Sequence, residues 1–557
     1  MWNLVLLSLV CLIVSLIYNF YLSEPISIVR YPKKNYDYIV VGAGTAGCVI
    51  ASRLSESKEV SVLLVEAGGY FKWHSSIPLA APLLQRTNSD WAYATDSQEY
   101  SSRGLRHQKQ FWPRGKGLGG SGQMNFVLHS FGVPEDYSRW PAEWSYKNLL
   151  PYFRRVEEII NITVVSAEEK LARAFHKSGI EIAHKNATFS LASNTLKKGA
   201  RSSSYHAYLK RAWSRKNLHI LMNALVTKIL FTKLRAEGIQ VKYSSGKVER
   251  IMANKEIILC GGTVNTPQLL MLSGIGPVDE LRKHHIPVVK QQEQVGRNLY
   301  DHLNVPIYVN LKAPVSVTLN KLKSFNEIFK FFVFGNGMLA SNAIVGTGRS
   351  GHSGILLFGM GTVDESLLKE IANFHTSTFR AVFPSYADPK LEGFIYLSSC
   401  LQPESRGNIT LRSNESSDSP IINPGYLESD HDIECTHNAI QLALETLTTT
   451  GFVDLGASAH VPKLRECSNW PQDYTNHDFT ECLTRTVGLT SHHPGGTCRM
   501  GKNHDSTAVV DEDLRVIGVD GLRIMDASVL PYPVSGTPNS VIIAMAERAA
   551  DIIVTWK

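Results

Sequence analysis

Two short apolar runs near the start of the chain flank a segment with helical periodicity. The first run, residues 38–41, is rich in β-branched side chains, which favour a buried parallel strand. Residues 46–54 are predicted to form a helix. The second run, residues 60–65, is a further predicted strand and ends at Glu66. The pattern therefore predicts a strand–helix–strand unit between residues 36 and 69, with its two strands parallel.

The turn between the first predicted strand and the helix has the G-x-G-x-x-G pattern, Gly42-Ala43-Gly44-Thr45-Ala46-Gly47. Gly42 permits the tight turn, Gly44 lets the backbone approach a pyrophosphate, and Gly47 lets the helix pack on the sheet. The helix N-terminus offers free N–H groups to the phosphates. A carboxylate at Glu66 can accept a hydrogen bond from a ribose hydroxyl. We therefore predict a dinucleotide site, and this motif is compatible with both FAD and NAD.

The first 35 residues differ in composition from the remaining chain. Residues 1–23 contain no charged side chain, and the nearly all-apolar residues 2–22 are long enough to span a bilayer. A signal anchor and a long signal peptide both fit, and the anchor is slightly favoured. Three basic residues follow and favour a cytoplasmic body: Arg30, Lys33 and Lys34. Four N-x-S/T sites favour a lumenal body instead: Asn161, Asn186, Asn408 and Asn414. We predict a protein of the secretory pathway, membrane-anchored or secreted, with its orientation open.

Charge and cysteine content exclude several function classes. The 557-residue chain has 57 basic and 50 acidic side chains, and its net charge of +7 is spread along the sequence without a basic run for nucleic acid. No spacing of His and Cys resembles a zinc site, so no metal is predicted. Eight cysteines are too few for a disulfide scaffold, although Cys435, Cys467 and Cys482 are candidates for one oxidised pair in a lumenal body. Cys48 and Cys260 are predicted to be buried, packed thiols.

Four later segments share their motifs with a known enzyme family. A second glycine cluster spans residues 115–125 (GKGLGGSGQMN), and residues 262–276 read GTVNTPQLLMLSGIG. His493-Pro494 precedes the run GTCRMG at residues 496–501, and residues 526–528 read DAS. In this order they resemble the two signatures, the active-site segment and the C-terminal flavin segment of the glucose–methanol–choline (GMC) oxidoreductases. The resemblance extends from residue 36 to the end of the chain.

The resemblance implies an α/β fold, with a Rossmann-like FAD-binding domain and a discontinuous substrate domain made of an antiparallel sheet covered by helices. By resemblance, residues 36–304 and 487–557 form the FAD-binding domain, residues 305–486 form the substrate domain, and residues 1–35 are the hydrophobic segment and linker. FAD is the implied cofactor. The residues assigned to FAD are Gly42, Gly44, Thr45, Ala46, Gly47, Glu66, Ala67, Trp91, Arg114, Gly117, Gly120, Ser121, Asn125, Val127, Val226, Asp526, Ala527 and Asn539.

The implied reaction is the oxidation of an alcohol, in which hydride passes from the substrate carbon to flavin N5. The hydroxyl proton must go to a base with a pKa near neutrality, for which histidine is suited. The family places this base directly before a proline, which predicts His493. Its neighbour His492 is expected to face away from the flavin, because successive residues of an extended chain point to opposite sides. His302 is interpreted as a structural or loop histidine.

The sequence departs from the family at the second catalytic position. The family has His or Asn there, whereas this chain has Thr537. A threonine hydroxyl can donate a hydrogen bond to the substrate oxygen, but it is neither a cation nor a base of comparable strength. Asn539 is the alternative catalytic residue if the loop shifts by two positions. A smaller departure follows Ser121, where Gly122 replaces a second Ser or Thr of the family.

The leading prediction is an FAD-dependent alcohol dehydrogenase or oxidase. Its predicted partners are a small-molecule alcohol, with a weak preference for an apolar one, and an electron acceptor that is dioxygen or quinone-like. Membrane association stays open. The departures at Thr537 and Gly122 keep an alternative open, a catalytically impaired flavoprotein that acts as a binding protein. A nicotinamide-dependent dehydrogenase is less favoured, because it leaves the second glycine cluster without a role. The aromatic stretch at residues 329–334 is expected in the core, with a substrate pocket or a membrane contact as alternatives.

Overall fold

The computed structural model describes residues 25–182 and 187–555 of the chain. The apolar residues 2–22 and the glycosylation-type Asn186 therefore lie outside the described residues. No helix within the described ranges is both long enough and apolar enough to cross a bilayer.

A first large sheet, here called the nucleotide sheet, has seven described strands. Five of them run parallel, in the spatial order Leu218–Leu221, Val62–Val65, Asn35–Val41, Val248–Leu259 and Leu522–Ile524. Two antiparallel strands, Arg235–Tyr243 and Ala224–Thr232, continue the sheet from the first half of Val248–Leu259. All four residues of Val62–Val65 are buried, as expected where a parallel sheet is covered on both faces.

The carboxyl ends of the parallel strands meet at one edge of the nucleotide sheet. In register, Val41 lies opposite Val65 and Leu259, and Leu259 lies opposite Ile524. The segments that follow these strands therefore leave the sheet side by side. Ligands of open α/β sheets bind at this edge, so the fold predicts the location of the site before any side chain is considered.

Two helices that are far apart in the sequence pack together beside this edge. Helix Thr45–Leu54 follows the first strand and contacts the C-terminal helix Pro538–Thr555, which in turn contacts helix Tyr146–Ile159. The fully buried carboxylate of Glu547 forms ion pairs with Arg53 and, at 3.0 Å, with Arg155. Because removal of one partner would leave a buried charge uncompensated, these ion pairs fix how the three helices pack.

A second large sheet, here called the cap sheet, is antiparallel and also has seven described strands. Its strands are, in spatial order, Ser458–Ala459, Leu303–Asn310, Gly393–Cys400, Ser353–Phe358, Ile344–Ser350 and Ala187–Leu191, with Leu489–Thr490 also paired to Leu303–Asn310. Helix Asp430–Leu447 packs on Gly393–Cys400 and Ser353–Phe358. The predicted α/β fold with a helix-covered antiparallel sheet is confirmed. Two cap strands come from the predicted FAD-binding ranges: Ala187–Leu191 from residues 36–304 and Leu489–Thr490 from residues 487–557. The exact domain boundaries stay a prediction.

The remaining elements are short or connect the two sheets. The other described strands are Tyr93–Ala94, Phe111–Trp112, Leu128–His129, Ile162–Val164, Ser193–Lys197, Ala200–Arg201, Ile275–Gly276, Lys290–Gln291, Asn408–Thr410 and Ile421–Asn423. The other described α-helices are Lys170–Ile182, Ser204–Ala207, Gly262–Leu272, Val278–Lys283, Leu319–Leu322, Phe325–Phe329, Glu365–Ala372, Thr376–Val382, Thr450–Asp454 and His477–Val487.

Two disulfide bonds are present within the described residues, both in the half of the molecule that contains the cap sheet. Cys467 is bonded to Cys482, which is one of the pairings that the sequence left open. Cys435 is bonded instead to Cys400, a residue that the sequence analysis did not select. Sequence spacing could not find this pair, because it joins the end of strand Gly393–Cys400 to the helix that covers the sheet. Cys48 and Cys260 are buried free thiols, as predicted.

The expectation that the aromatic stretch at residues 329–334 lies in the core is wrong. Phe332 is 63% exposed and Phe334 is 64% exposed. The stretch continues helix Phe325–Phe329 as a π-helical turn, Lys330–Phe334, and this continuous helix buries Glu327 rather than its aromatic residues. Apolar composition predicts burial only on average, and it does not indicate which face of a short helix is covered.

Replacement of both Cys467 and Cys482 by serine is expected to lower the free energy of unfolding by about 3 kcal/mol, because a cross-link closing a 15-residue loop restricts the unfolded chain by about this amount. The measurement is urea denaturation followed by circular dichroism. Asn469→Ser, at an exposed position two residues from Cys467, is the matched control. An unchanged midpoint for the double variant would contradict the stabilising role.

Candidate active site

Close backbone packing defines the first glycine loop. A Cβ added at Gly42, where φ is +99°, would lie 2.5 Å from the carbonyl oxygen of Cys260. A Cβ added at Gly47 would lie 1.9 Å from the carbonyl oxygen of Gly42, whereas one added at Gly44 would meet only the Cys260 oxygen, at 3.9 Å. Gly44 is the N-cap of helix Thr45–Leu54 and makes no capping hydrogen bond with a side chain. The fold therefore requires Gly42 and Gly47, while Gly44 leaves open space in front of the helix N-terminus.

Glu66 lies beside this loop and is buried. Its carboxylate accepts hydrogen bonds from the N–H groups of Ala43 (2.8 Å) and Gly68 (2.9 Å). Burial raises the pKa of Glu66, and these backbone donors oppose the shift. Each carboxylate oxygen has a second lone pair, so acceptance of a ribose hydroxyl is compatible with this geometry and stays a prediction.

The predicted neighbours of Glu66 lie at the same edge. Ala67 follows it and is partly accessible. Val226 lies in strand Ala224–Thr232, whose first N–H donates to the Glu66 carbonyl oxygen at 3.0 Å. The structure therefore places Val226 near Glu66 although 160 positions separate them in the sequence.

The second glycine cluster packs directly on the first. The N–H of Gly119 donates to the carbonyl oxygen of Ala43 at 2.7 Å. A Cβ added at Gly120 would lie 2.7 Å from the Cα of Gly44. Gly117 and Gly120 both have positive φ, +149° and +52°, which favours glycine. The two glycine loops therefore form one surface at the helix N-terminus.

Thr45 and Asn539 explain why residue 122 is a glycine. The Thr45 hydroxyl donates to the Asn539 side-chain oxygen at 2.8 Å. A Cβ added at Gly122 would lie 2.9 Å from that hydroxyl and 3.3 Å from the Asn539 oxygen. The hydroxyl of Ser121 accepts the Gly115 N–H at 3.1 Å. The predicted flavin residues Thr45, Ser121 and Asn539 are thus brought together, and Thr45 fills the space where a side chain at position 122 would project.

Asn125 is held by a buried cation that sequence reasoning did not assign to the site. The guanidinium of Arg201 donates to the Asn125 side-chain oxygen (2.5 Å), to the carbonyl oxygen of Gly122 (3.3 Å) and to that of Ser75 (2.8 Å). Its remaining terminal nitrogen has no hydrogen-bond partner among the described residues, and burial lowers the pKa of Arg201 to about 9. Val127, two residues after Asn125, is β-branched with a φ of +53°, a strained conformation of the kind found at functional sites.

Trp91 and Arg114 lie on either side of a buried carboxylate, that of Asp90. Asp90 accepts the backbone N–H of Arg114 at 2.8 Å. The Trp91 ring stacks on Tyr93 with a centroid distance of 5.9 Å, and the ammonium group of Lys116 lies 4.7 Å from the Trp91 centroid. The second glycine cluster is therefore flanked by an aromatic platform.

The side chain of Asp526 is fully used in holding the backbone. Its carboxylate accepts the N–H of Gly262 (2.9 Å), the hydroxyl of Thr266 (2.6 Å) and the N–H of Ser528 (2.8 Å). Burial raises its pKa, and these hydrogen bonds oppose the shift. Ala527 is partly accessible at the same edge. A role of these two residues toward FAD through backbone groups stays a prediction.

His493 is positioned by a buried carboxylate that the sequence analysis did not select. Asp301 accepts the His493 backbone N–H at 2.7 Å, and its other oxygen accepts the hydroxyls of Tyr426 and Thr490, both at 2.5 Å. Burial raises the pKa of Asp301, and these hydroxyls oppose the shift. The backbone of the histidine segment is therefore fixed before any ligand binds.

His302 fixes the tautomer of His493. Its Nε2 lies 2.9 Å from the Leu401 carbonyl oxygen, which can only accept, so Nε2 carries the proton. Neutral His302 then accepts at Nδ1, which lies 3.1 Å from Nδ1 of His493. His493 must donate there, and its Nε2 carries the free lone pair. Burial lowers the pKa of both rings, that of His493 to well below 6.5, which favours these neutral forms. This geometry favours the structural over the loop interpretation of His302, because its ring contacts that of the predicted base.

Arg114 and His492 complete the polar surroundings of His493. The Arg114 guanidinium donates to the His492 carbonyl oxygen at 2.8 Å. His492 has a φ of +61°, so the chain is not extended here and the argument that placed His492 on the opposite side from His493 does not apply. Burial, together with the charge of Arg114, lowers the pKa of His492 to about 3.

Thr537 is buried and already bonded. Its hydroxyl lies 3.2 Å from both the N–H and the carbonyl oxygen of Ser130 and 3.1 Å from the hydroxyl of Ser540. Ser540 in turn contacts Nδ1 of His129 at 2.9 Å. No hydrogen bond joins Thr537 to His493 in residues 25–182 and 187–555. A hydrogen bond from Thr537 to a substrate would therefore require its hydroxyl proton to leave one of these partners.

A cluster of possible metal ligands lies outside this site. Ligand atoms of Cys400, His431 and Cys435 are all within 4.8 Å of one another. Two of the three form a disulfide bond, so neither sulfur is a thiolate. The cluster therefore offers no metal site in this state.

Comparison with known proteins agrees with this geometry. Two family models match the chain, both described as GMC oxidoreductase, over residues 36–304 and 403–546. The chain belongs to the GMC oxidoreductase family. The resemblance noted in the sequence and the assignment of FAD as cofactor are therefore confirmed.

Relatives match nearly the whole chain. The chain is 37% identical to "Neither inactivation nor afterpotential protein G" of Drosophila melanogaster, over 93% of this chain and 90% of that protein. It is 31% identical to "Glucose dehydrogenase [FAD, quinone]" of Drosophila pseudoobscura pseudoobscura, over 94% and 87%. Among solved structures, pyridoxine 4-oxidase from Mesorbium loti has a TM-score of 0.77 at 25% identity and covers 94% of this chain and 100% of that one.

The residues present fit FAD. The open space at Gly44 and the uncapped helix N-terminus suit a pyrophosphate, whose charge the positive end of the helix dipole stabilises. The N–H groups of Arg201 without a hydrogen-bond partner among the described residues are suited to an acceptor or a negative charge beside the second glycine cluster. Sequence reasoning missed Arg201, Asp301 and His302. The sequence features that could have pointed to them are an arginine followed by three serines at residues 201–204 and the adjacent Asp and His at residues 301–302.

Gly47→Ala and Gly44→Ala are expected to separate folding from cofactor binding. The first places a methyl group on the Gly42 carbonyl and should lower the free energy of unfolding by about 2–3 kcal/mol. The second has room for the methyl group and should leave unfolding of the FAD-free protein unchanged, but raise the FAD dissociation constant about tenfold or more by blocking backbone approach. Thermal unfolding and flavin absorbance measure the two effects. If the two variants lost stability and FAD affinity to the same extent, the assignment of Gly47 to folding and Gly44 to FAD binding would be contradicted.

His302→Leu is expected to lower kcat by about 10²-fold at unchanged FAD content, because the His493 ring loses the acceptor that fixes its tautomer. His302→Asn supplies an amide oxygen at the same place and should restore part of the rate. Steady-state kcat and KM, measured beside flavin content, test this. If Leu and Asn behave alike, or only KM changes, His302 does not set the tautomer.

Proposed function

We propose that this protein oxidises the CH–OH group of an alcohol, with His493 as the proton acceptor. The observation that carries the proposal is the hydrogen bond between His302 and His493, which leaves the lone pair of His493 Nε2 free. A general base needs this free lone pair before the substrate arrives. His493 also keeps part of its surface accessible.

The chain's own residues supply binding, orientation and proton transfer. FAD, when bound, supplies the hydride acceptor. Asp301 holds the backbone of His493, and His302 holds its ring, so Nε2 can take the hydroxyl proton without a rearrangement of the segment. Because burial lowers the pKa of His493, its ring is unprotonated and ready to act at neutral pH.

Substrate and acceptor are proposed from the relatives and from the sequence. The name of the glucose dehydrogenase relative includes a quinone, which supports a quinone-like acceptor. The oxidase named among the solved structures supports dioxygen as the alternative. We retain an apolar alcohol as the proposed substrate class because of the apolar N-terminal stretch at residues 2–22.

We infer that the protein resides in the secretory pathway, membrane-anchored or secreted. Two disulfide bonds support an oxidising compartment. Asn414, in one of the N-x-S/T sites, is exposed. Both features are compatible with a lumenal or extracellular body.

A second candidate function is that of a binding protein with impaired catalysis. The observation in its favour is the Thr537 hydroxyl, which is bonded to the Ser130 backbone and to Ser540. If this hydroxyl cannot turn, the substrate oxygen would lack the second hydrogen-bonding group that the family places there. Alcohols would then bind without efficient transfer.

His493→Asn should retain the flavin spectrum but lower the rate of anaerobic flavin bleaching by an alcohol panel by about 10²–10⁴-fold, because the base is lost. In the wild type, the pKa of His493 below 6.5 means that the base is unprotonated above that pH. The pH profile of kcat/KM should therefore stay level down to about pH 6.5 and fall only in more acid solution. Stopped-flow absorbance measures both effects.

Thr537→Asn separates the two candidate functions in the same assay. If wild-type flavin bleaches and Thr537→Ala slows it, Thr537 acts in an alcohol oxidoreductase. If wild-type flavin never bleaches and Thr537→Asn gains bleaching, the binding-protein function is favoured. Bleaching of His493→Asn at the wild-type rate would overturn the assignment of the base.

A further inference from the structure

One helix of the molecule exposes its aromatic residues. Helix Phe325–Phe329 and the π-helical turn Lys330–Phe334 are continuous, and with Trp73 they form the surface called here the aromatic face. Phe325 is 80% exposed, and Phe332, Phe334 and Trp73 are each more than 60% exposed. Contiguous apolar side chains at this level of exposure mark an interaction surface on soluble bodies.

The acidic residue of this helix faces inward instead. Glu327 is buried and accepts the Lys330 ammonium group at 2.6 Å and the Met338 N–H at 2.8 Å. Its own N–H is capped by the hydroxyl of Ser324 at 3.3 Å. Glu327 therefore anchors the helix in an orientation that leaves its aromatic side chains exposed.

Tight backbone contact also fixes the end of the helix. Gly335 ends it with a φ of +62°, and a Cβ there would lie 2.5 Å from the carbonyl oxygen of Lys198. A Cβ added at Gly199 would lie 2.1 Å from the Gly335 carbonyl oxygen. The end of the aromatic helix is thus held on the turn between strands Ser193–Lys197 and Ala200–Arg201.

The face continues toward the point where the N-terminal part joins the described body. Trp73 contacts Phe332 with a ring-centroid distance of 6.2 Å. Tyr70, three residues before Trp73, contacts the ring of Trp213, and the Trp213 carbonyl oxygen accepts the N–H of Ser27 at 3.3 Å. The described N-terminal segment at Ser27 therefore packs on Trp213, whose ring contacts Tyr70, three residues before Trp73 of the aromatic face.

The exposed charges at the face are mainly positive. Residues 311–343 contain four lysines and a single acidic residue, the buried Glu327. From outside this range, Glu392 pairs with Lys321, and the exposed Asp364 interacts with Lys323. Lys72, Lys198 and Lys323 are exposed, at positions adjoining Trp73, Gly335 and Phe325. Long basic side chains beside aromatic residues are typical of surfaces that lie on anionic lipid.

We propose that the aromatic face docks this protein on the surface of an anionic phospholipid bilayer. The aromatic side chains enter the boundary between headgroups and acyl chains, where rings of this kind are enriched. The exposed lysines pair with lipid phosphates, and Glu327 stays neutralised by Lys330 in the protein.

A second copy of the chain fits this face less well. A twofold self-contact brings the same surface of each copy together, so the exposed lysines of one copy, Lys72, Lys198 and Lys323, would face those of the other. The anchors of protein interfaces also fill pockets in the partner, whereas a soft lipid surface accepts exposed rings without a matching pocket.

The test is residue-resolved hydrogen exchange of the full chain with vesicles of phosphatidylcholine alone and of phosphatidylcholine with phosphatidylserine. Amides of residues 325–334 and 71–74 should exchange about tenfold more slowly on anionic than on neutral vesicles, because docking covers them. Raised salt should remove the difference by screening. The double variant Lys72→Glu/Lys323→Glu should lose the difference in exchange as well. Both positions are exposed, so these substitutions should leave the fold intact.

Phe332→Ser/Phe334→Ser should lower the protection of the same amides about tenfold, and Ile180→Ser, at an exposed apolar position on another helix, is the matched control. Equal exchange on both lipids would overturn the proposal. Protection that needs no lipid and rises with protein concentration would assign the face to a second copy and would also overturn it. Flavin bleaching by alcohols, measured in parallel, reports on the proposed function separately.

Discussion

The close contact of three backbone segments is the constraint on which the site depends. Gly42 lies against the carbonyl of Cys260, Gly47 against that of Gly42, and Gly120 against Gly44. None of these approaches leaves room for a side chain, so the glycines fix the distance between segments that are more than 70 positions apart in the sequence. Parallel strands that end at one sheet edge bring these segments together. The positions of the polar groups around the second glycine cluster, residues 115–125, follow from this packing.

A chain of hydrogen bonds connects the cap sheet to the predicted base. Asp301 and His302 directly precede strand Leu303–Asn310, and Leu401 directly follows strand Gly393–Cys400, which pairs with it. Asp301 accepts the backbone N–H of His493, and His302 contacts its ring. The carbonyl oxygen of Leu401 fixes the proton on Nε2 of His302. The predicted base follows cap strand Leu489–Thr490 by three residues, and residues next to two other strands of the cap sheet position it. A movement of these strands relative to one another would alter the contacts that set its tautomer.

Much of the fold could be predicted from the sequence, because its signals are local. The glycine spacing, the apolar strands and the His-Pro segment each occupy a few consecutive residues. The contacts of Arg201 and His302 could not be predicted, since they join residues 76 and 191 positions apart and depend on burial. The prediction that residues 329–334 lie in the core was wrong for a related reason. Composition identified residues 329–334 as apolar, but only the inward contacts of Glu327 decide that the opposite side of the helix faces outward.

Arg201 links the surface to the site. Its charge is buried, its donors reach amide and carbonyl oxygens, and no carboxylate pairs with it among the described hydrogen bonds. A buried charge without an opposite charge destabilises the fold. The negative charge of FAD would offset this cost, so cofactor binding and the order of the Asn125 loop should be coupled. Arg201 also ends the strand that follows Gly199, whose backbone contacts Gly335 at the end of the aromatic helix. The residues that would meet a membrane and the arginine that holds Asn125 are therefore joined by one short hairpin, because Gly335 packs on the turn that leads into Arg201.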